Sequence, residues 1–280
     1  IKKVEVKARG ASKQLFTGQQ KSPFRGLGME FAEVRKYFPG DETRAIDWNV
    51  TARLNEPYVK TFDEEKELSV MLLVDVSYST FLGSAWQSKK DYIAEVCAVI
   101  AFSAISQNEK VGLMLFSGEV EKFVAPGKGK QHVLRIVREL LMYKPTSRST
   151  NINKALLHFV NAQKKRTTSF VVSDFRDSSY EKALKIASKR HDLMAIRVQD
   201  NFDVKLPSIG LVVLQDAESG QEREVDTTDK RIRLAHETWV AEQNEQFKTL
   251  LNQSGLDSVD LLTSEPYIKT LKKAFNRRGK

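Results

Sequence analysis

The sequence predicts an α/β fold, a mostly parallel sheet with helices on both faces, joined to a small N-terminal extension rich in short strands and turns. Three observations carry this reading. The stretch from Val70 to Val74 is unbroken apolar text that stops abruptly on Asp75, the pattern of a central strand buried on both faces. From residue 68 onward such runs alternate with segments of helical period, which implies right-handed crossovers between parallel strands. The chain has 280 residues, 41% hydrophobic and 29% charged, an ordinary globular composition with enough length to bury a sizeable core.

Taken in order, residues 1–24 are basic, with one short alternating stretch from Ile1 to Val6. Between Phe24 and Arg53 aromatic and charged residues interleave, and Pro39-Gly40-Asp41 is a strong turn signal. Pro57 to Phe62 reads as a strand. No helix in this portion is expected to be long enough to stand alone, so it is expected to pack on the α/β part of the chain. After the strand ending at Asp75, Lys89 to Ile105 is a helix so apolar around Val96 to Phe102 that it is largely buried. Lys110 to Phe116 is a second strand. Glu121 to Val124 is a short edge strand, ended by Pro126 and Gly127. His132 to Met142 and Asn151 to Ala162 are amphipathic helices. Ser169 to Val172 is a strand running straight into Ser173-Asp174. Glu181 to Lys189 is a helix and Leu193 to Val198 a strand. Gly210 to Leu214 and Glu222 to Val225 form a hairpin around Asp216 to Gly220. Arg231 to Gln253 is a long helix with Gly255 just beyond it, and Pro266 to Phe275 is the last helix.

Composition excludes several function classes. No stretch approaches the ~20 apolar residues of a membrane span, and no signal-peptide pattern opens the sequence. The single cysteine, Cys97, has no intramolecular partner and lies in an apolar helical pattern; a reducing, cytoplasmic setting is expected. The formal charge of +9 is concentrated at the ends. Residues 1–25 carry +6 and residues 269–280 another +6, leaving −3 for the body between them. Basic ends around a mildly acidic body argue against a specific nucleic-acid face, though the surplus suits an acidic partner.

Several motifs fail. Gly127-Lys128-Gly129-Lys130 has the composition of a phosphate loop without the spacing. The four histidines are scattered and have no cysteine partner, which argues against zinc. No Gly-x-Ser-x-Gly elbow accompanies the serines. Asp177, three residues after Asp174, reads as a first-turn residue favourable to the dipole of the helix after it.

One constellation holds. In open α/β sheets ligands bind beyond the carboxyl ends of the strands. Asp75-x-Ser77-x-Ser79 lies at such an end. If the strands ending at Asp75 and Asp174 are neighbours, both carboxylates emerge on one edge, and the loop before the Asn151 helix can bring Thr150 there. Two carboxylates and three hydroxyls would suit a hard divalent cation and leave it hungry for one more oxygen. Ionised, the pair would give the site a charge near −2. The competing reading makes Ser77 and Thr150 helix caps and the aspartates turn formers.

Asp75-x-Ser77-x-Ser79, Thr150 and Asp174, in that order and on those elements, resemble the metal-ion-dependent adhesion site of von Willebrand factor A domains. Gly28-x-Glu30-Phe31, Arg35-x-Tyr37-x-x-Gly40-Asp41, Arg44-x-Ile46-Asp47-Trp48 and Ala52-Arg53 resemble the prokaryotic domain-of-unknown-function 58 family. So do Phe81-x-Gly83, Ser88-Lys89 and the Asp216-x-Glu218-x-Gly220 hairpin. The resemblance covers roughly residues 4 to 235; Thr80 departs from it, standing where the family usually has Met. It implies a Rossmann-like von Willebrand A domain over 67–255, after an extension over 1–66 that carries the family motif and before a C-terminal helix and basic tail over 256–280. It also implies Mg²⁺ (or Mn²⁺ or Ca²⁺) held by Ser77, Ser79 and Thr150, with Asp75 and Asp174 anchoring it mostly through water. A partner's Glu or Asp would complete the shell.

The expected function is therefore a non-enzymatic protein-interaction module, working with a MoxR-type AAA+ ATPase in protein-complex assembly or stress response. The alternative is a Mg²⁺-dependent phosphoryl hydrolase, although the haloacid-dehalogenase pattern wants an Asp where Ser77 stands and no general base is evident. Nucleic-acid binding through the basic ends ranks third. The cluster Arg35, Asp41, Arg44, Asp47 and Trp48 is expected to be a buried ion-pair and aromatic staple, with docking to the ATPase as the second reading.

Overall fold

The structure, a computed structural model, describes residues 2–15, 34–41, 43–60, 69–80, 88–177, 179–216 and 220–278. The chain divides into two compact units: residues 1–25 with 69–280, and residues 26–68. In chain order the elements are α1 (Lys2–Leu15), β1 (Val34–Lys36), α2 (Trp48–Leu54), β2 (Tyr58–Lys60), β3 (Ser69–Asp75), α3 (Lys89–Ser106), β4 (Lys110–Phe116), β5 (Val120–Gly127), α4 (Lys130–Met142), α5 (Ile152–Ala162) and β6 (Thr168–Ser173). They continue with α6 (Glu181–Arg190), β7 (Asp192–Gln199), α7 (Asn201–Val204), β8 (Leu211–Gln215), β9 (Glu222–Asp226), α8 (Lys230–Ser254), β10 (Asp257–Leu262) and α9 (Tyr267–Arg278).

The larger unit is built on a six-stranded sheet in the order β10-β7-β6-β3-β4-β5. Every pairing is parallel except β4 with β5, which is antiparallel and ends the sheet. Numbered within the sheet, the order is 3-2-1-4-5-6, so the topological switch lies between β3 and β6. Residues Val70 to Asp75 are all buried, as an apolar strand covered on both faces requires. Met71 and Leu73 face a cluster built with Phe159 of α5, Leu184 of α6 and Phe247 and Leu251 of α8. Phe170 points the other way, its ring 5.8 Å from Phe275 of α9. Helix α3 is buried from Tyr92 to Ala104, because α1 and α4 cover the side it turns away from the sheet. Cys97 lies inside it, and burial pushes its thiol up to about 12.

Three expectations are corrected. Residues 2–15 form one helix, where the sequence predicts an alternating stretch and no long helix. Ala8 and Ala11 are buried against α3, and Lys7 Nζ donates to Glu95 Oε2 at 2.5 Å. Val4, Ala8 and Ala11 carry a helical period that the alternating Val4-Glu5-Val6 obscures over so short a window. This helix joins residues 1–25 to the α/β unit, so the compact units differ from the sequence divisions at 1–66 and 256–280. At the other end, Asp257–Leu262 is a strand that the sequence pattern does not predict. Val259 and Leu261 are buried in alternation, Asp260 between them pairs with Arg197, and Asp257 at the start of the strand pairs with Arg278.

In the smaller unit β1 and β2 pair antiparallel, Arg35 opposite Val59. The staple expected there is not buried. Arg35 grips Asp41 through two hydrogen bonds of 2.7 and 2.6 Å, both exposed, and Trp48 is 70% exposed. The acids do local work. Asp41 also accepts from the Phe38 N–H within the Pro39-Gly40 turn, where Gly40 takes φ +114°, and Asp47 caps α2 by accepting from Asn49 and Val50. Gly28, Glu30, Phe31, Phe81, Gly83 and Glu218 lie outside the described residues.

Candidate metal centre

Strand β3 delivers Asp75 to the carboxyl end of the sheet at its switch point, and the residue is only 1% exposed. Asp75 Oδ1 accepts from the Ser77 N–H at 2.9 Å, a bond that turns the chain immediately after the strand. Asp75 Oδ2 accepts from the Ser173 hydroxyl at 2.7 Å, across to the end of β6. Burial and then the negative charge of Asp174 push this carboxyl well above the ordinary range. A short 3₁₀ turn over Tyr78–Thr80 comes next, held by Thr80, whose hydroxyl donates to the Ser77 carbonyl at 2.7 Å. The turn brings Ser77 Oγ and Ser79 Oγ within 3.1 Å of each other.

Asp174 comes directly after Ser173 and is buried beside a lysine that is equally buried. Lys89 Nζ lies 3.9 Å from Asp174 and 2.5 Å from Asp203, and its side chain is 4% exposed. Arg176 also reaches Asp203, at 3.2 Å. The expected charge near −2 is therefore corrected, because an ammonium placed by the first turn of α3 answers part of it. A basic residue at a helix N-terminus opposes the helix dipole. That misplacement, directly after the N-cap Ser88, is the sequence signal that Lys89 serves something other than its own helix.

Thr150, half-buried, sits in a loop pinned from both sides. The Tyr78 N–H donates to the Arg148 carbonyl at 3.3 Å and the Asn151 N–H to the Ser117 carbonyl at 2.9 Å. The next N–H along, that of Ile152, donates to Asp177 Oδ2 at 2.7 Å. Asp177 thus serves the N-terminus of α5, and α6 begins only at Glu181, which corrects the sequence reading of Asp177 as a first-turn residue. It ties the loop after Asp174 to the segment after Thr150. Gly118 makes room for the approach, since a Cβ there would meet Ser149 Oγ at 2.5 Å and Ser147 Oγ at 2.9 Å. Glu121 anchors the far end of the loop, accepting from Ser117, Tyr143, Thr146 and Ser147. Burial alone would raise its pKa, but these donors outweigh it and hold the carboxyl at about 2. Asp75, Ser77, Ser79 and Asp174 thus share one edge, and the Thr150 loop is bonded to that edge at Tyr78, Ser117 and Asp177.

A family model described as "Protein of unknown function DUF58" matches residues 33–246. The chain belongs to the DUF58 family. The uncharacterized protein Rv1480 of Mycobacterium tuberculosis is 34% identical over 202 residues, 71% of this chain and 64% of that protein. The uncharacterized protein YeaD of Bacillus subtilis is 29% identical over 109 residues, 39% of this chain and 25% of that one. The DUF58 chain therefore spans 64% of the length of the mycobacterial relative. Among solved structures, an aerotolerance-related membrane protein from Bacteroides fragilis is superposable with a TM-score of 0.51. The likeness covers 76% of this chain and 98% of that one at 13% sequence identity, and shows the fold alone. The mostly parallel sheet with helices on both faces is the von Willebrand A-like arrangement that the motifs implied.

The donor chemistry of this DUF58 edge is uniform: two carboxylates and neighbouring hydroxyls, all hard oxygens. Among the described residues no group of three or more His, Cys, Asp or Glu is placed to hold a metal ion, so any ion here must lean on the hydroxyls. The residues present fit such an ion. A cation beside Asp75 would relieve the charge that burial and Asp174 penalise. Each Asp75 oxygen takes a hydrogen bond, one from Ser77 and one from Ser173, and a carboxylate oxygen has a second lone pair to offer. Sequence reasoning missed Ser173, Lys89 and Asp203, the three groups that set the position and charge of the two aspartates.

Proposed function

We propose that this DUF58 chain is a non-enzymatic protein-interaction module whose contact with its partner is made through a divalent cation. Asp75, Ser77, Ser79, Thr150 and Asp174 would hold the ion, Mg²⁺ by preference and Mn²⁺ or Ca²⁺ in its place, and a partner's Glu or Asp would supply the remaining oxygen. The ion would contribute a positive charge at the mouth of the site. The protein's own groups do the rest. Ser173 orients Asp75, and Lys89 keeps Asp174 from being left buried as a bare charge. The observation that carries this reading is the buried Asp75 carboxylate beside two serine hydroxyls 3.1 Å apart at the switch point of the sheet. A MoxR-type AAA+ ATPase is the proposed partner, in protein-complex assembly or stress response within the cytoplasm.

Calorimetric titration of Mg²⁺ and Mn²⁺ into wild type, Asp75→Asn and Ser79→Ala tests the cation. Heat and thermal stabilisation in wild type, weakened in both variants, are expected; equal responses in all three would sink the proposal. A pull-down with the ATPase, with and without chelator, tests the partner.

A further inference from the structure

The hairpin β8–β9 carries an exposed face on which, among the described residues, the bonds are local: Asp226 accepts from Thr228 and Glu222 from Gln215. Its register sets Leu211 opposite Asp226, Val213 opposite Glu224 and Gln215 opposite Glu222, so these six side chains share one face. Leu211 is 69% exposed and Val213 58%, and Ile209, just before the strand, is 63% exposed. The three acids beside them are exposed too. The opposite face is already covered in part, since Val212 and Val225, which face each other there, are half-buried. The hairpin is also held in place. Thr227 clasps its base, with its hydroxyl donating to the Gly210 carbonyl at 2.7 Å and accepting from the Ile209 N–H at 3.0 Å. At its tip Gly220 lies against the Arg148 guanidinium, which sits 4.2 Å over the ring of Tyr78 in the turn between Ser77 and Ser79.

We infer that this face is a docking surface for a partner-protein segment bearing apolar side chains flanked by lysine or arginine. The apolar row along β8 supplies the burial, and Glu222, Glu224 and Asp226 on β9 supply complementary charge for a basic flank. A second copy of the chain is a poor occupant, because facing two such surfaces would bury three carboxylates from each copy with no basic side chain among the six residues of the face to pair with them. The acids also blunt indiscriminate strand pairing along an apolar edge, leaving it selective for a basic partner. The hairpin lies beside the candidate cation site through Gly220, Arg148 and Tyr78, yet the docking chemistry is its own and stands apart from the cation reading.

The test is to pan a random dodecapeptide library against the full chain and measure the selected peptides by fluorescence anisotropy. Apolar, basic sequences are expected. Their affinity should fall about tenfold with Leu211→Ser/Val213→Ser and likewise with Glu222→Gln/Glu224→Gln, and should be the same in Mg²⁺ and in EDTA. All four positions are exposed, so unchanged melting temperatures confirm that the variants fold. A consensus indifferent to both double variants overturns the inference, as does no enrichment. Binding that needs Mg²⁺ and survives Leu211→Ser/Val213→Ser would place the peptide at the cation site and also overturn it. A concentration-dependent dimer lost in Leu211→Ser/Val213→Ser would give the face to a second copy instead.

Discussion

The carboxylate of Asp177 accepts a 2.7 Å hydrogen bond from the backbone N–H of Ile152, so the loop after one candidate ligand caps the helix after another. Capping by a residue distant in sequence does two things at once. It satisfies an orphan N–H at the start of α5, and it fixes the spacing between the Asp174 and Thr150 loops. Asp177→Ala should cost about 1 kcal/mol, typical of a lost cap, and weaken the calorimetric Mg²⁺ response. Asp177→Asn, which keeps an acceptor, should lose less of both. Identical melting curves for Asp177→Ala and wild type would mean that the bond contributes nothing to stability.

Lys89 is the buried cation that the site already owns. Removing one member of a buried charge cluster leaves the others uncompensated, typically at a cost of about 3–5 kcal/mol. Lys89→Met should therefore be strongly destabilised in chelator, and Mg²⁺ should recover more of its melting temperature than it adds to wild type. A variant as stable as wild type in EDTA would show that Asp174 and Asp203 do not need the ammonium.

Glu121 predicts an acid limb. Its ordinary value is 4.5 and the folded protein holds it at about 2, so the unfolded chain binds the proton more readily. The stabilisation is fully present above about 4.5 and is lost as pH falls from there towards about 2. Urea unfolding at a series of pH values should show stability dropping across this window, and Glu121→Gln should flatten the drop while lowering stability at neutral pH.

His191 predicts a second slope at higher pH. Burial, then the charges of Arg190 and Arg166, push the imidazole down from 6.5 to about 4. The unfolded chain again takes the proton first, so stability falls as pH drops from about 6.5 to about 4 and levels off below. The slope approaches about 1.4 kcal/mol per pH unit for one proton. His191→Asn, which keeps a polar group near Thr167 Oγ1, should remove it. Persistence of the full slope in that variant would assign it elsewhere.

Most of the sheet is legible in the sequence because its strands advertise themselves. Val70 to Val74 and Val111 to Phe116 are continuous apolar runs that only a doubly covered strand can bury, and both lie within a residue of where the pattern puts them. The elements that stay hidden depend on partners distant in the chain. Strand β10 escapes notice because half its residues are acids or serine, poor strand formers until Arg197 and Arg278 pair with them. Helix α1 escapes because its alanines acquire meaning only against α3. At the site, the residue types Asp75, Ser77 and Ser79 can be named from their spacing after a buried strand. The counter-charge of Lys89 and the cross-loop role of Asp177 cannot: the place of Lys89 at a helix start signals only that it serves something else, and the partners of both residues lie far away in the chain. Arg35, Asp41 and Trp48 mislead in the other direction. Charged and aromatic residues in close sequence suggest a buried staple, whereas a turn and a helix cap account for both acids locally.

Cys97 gives the molecule a practical property. With its thiol sealed inside α3 and pushed up to about 12, the chain's single sulfhydryl is invisible to maleimides and nitroxide reagents under native conditions. A pair of cysteines introduced at Leu211 and on the loop beside Thr150 would then be the two points of attachment for dyes or spin labels. The unmodified native scaffold can therefore report distances between the hairpin and the cation edge without first being stripped of background thiols.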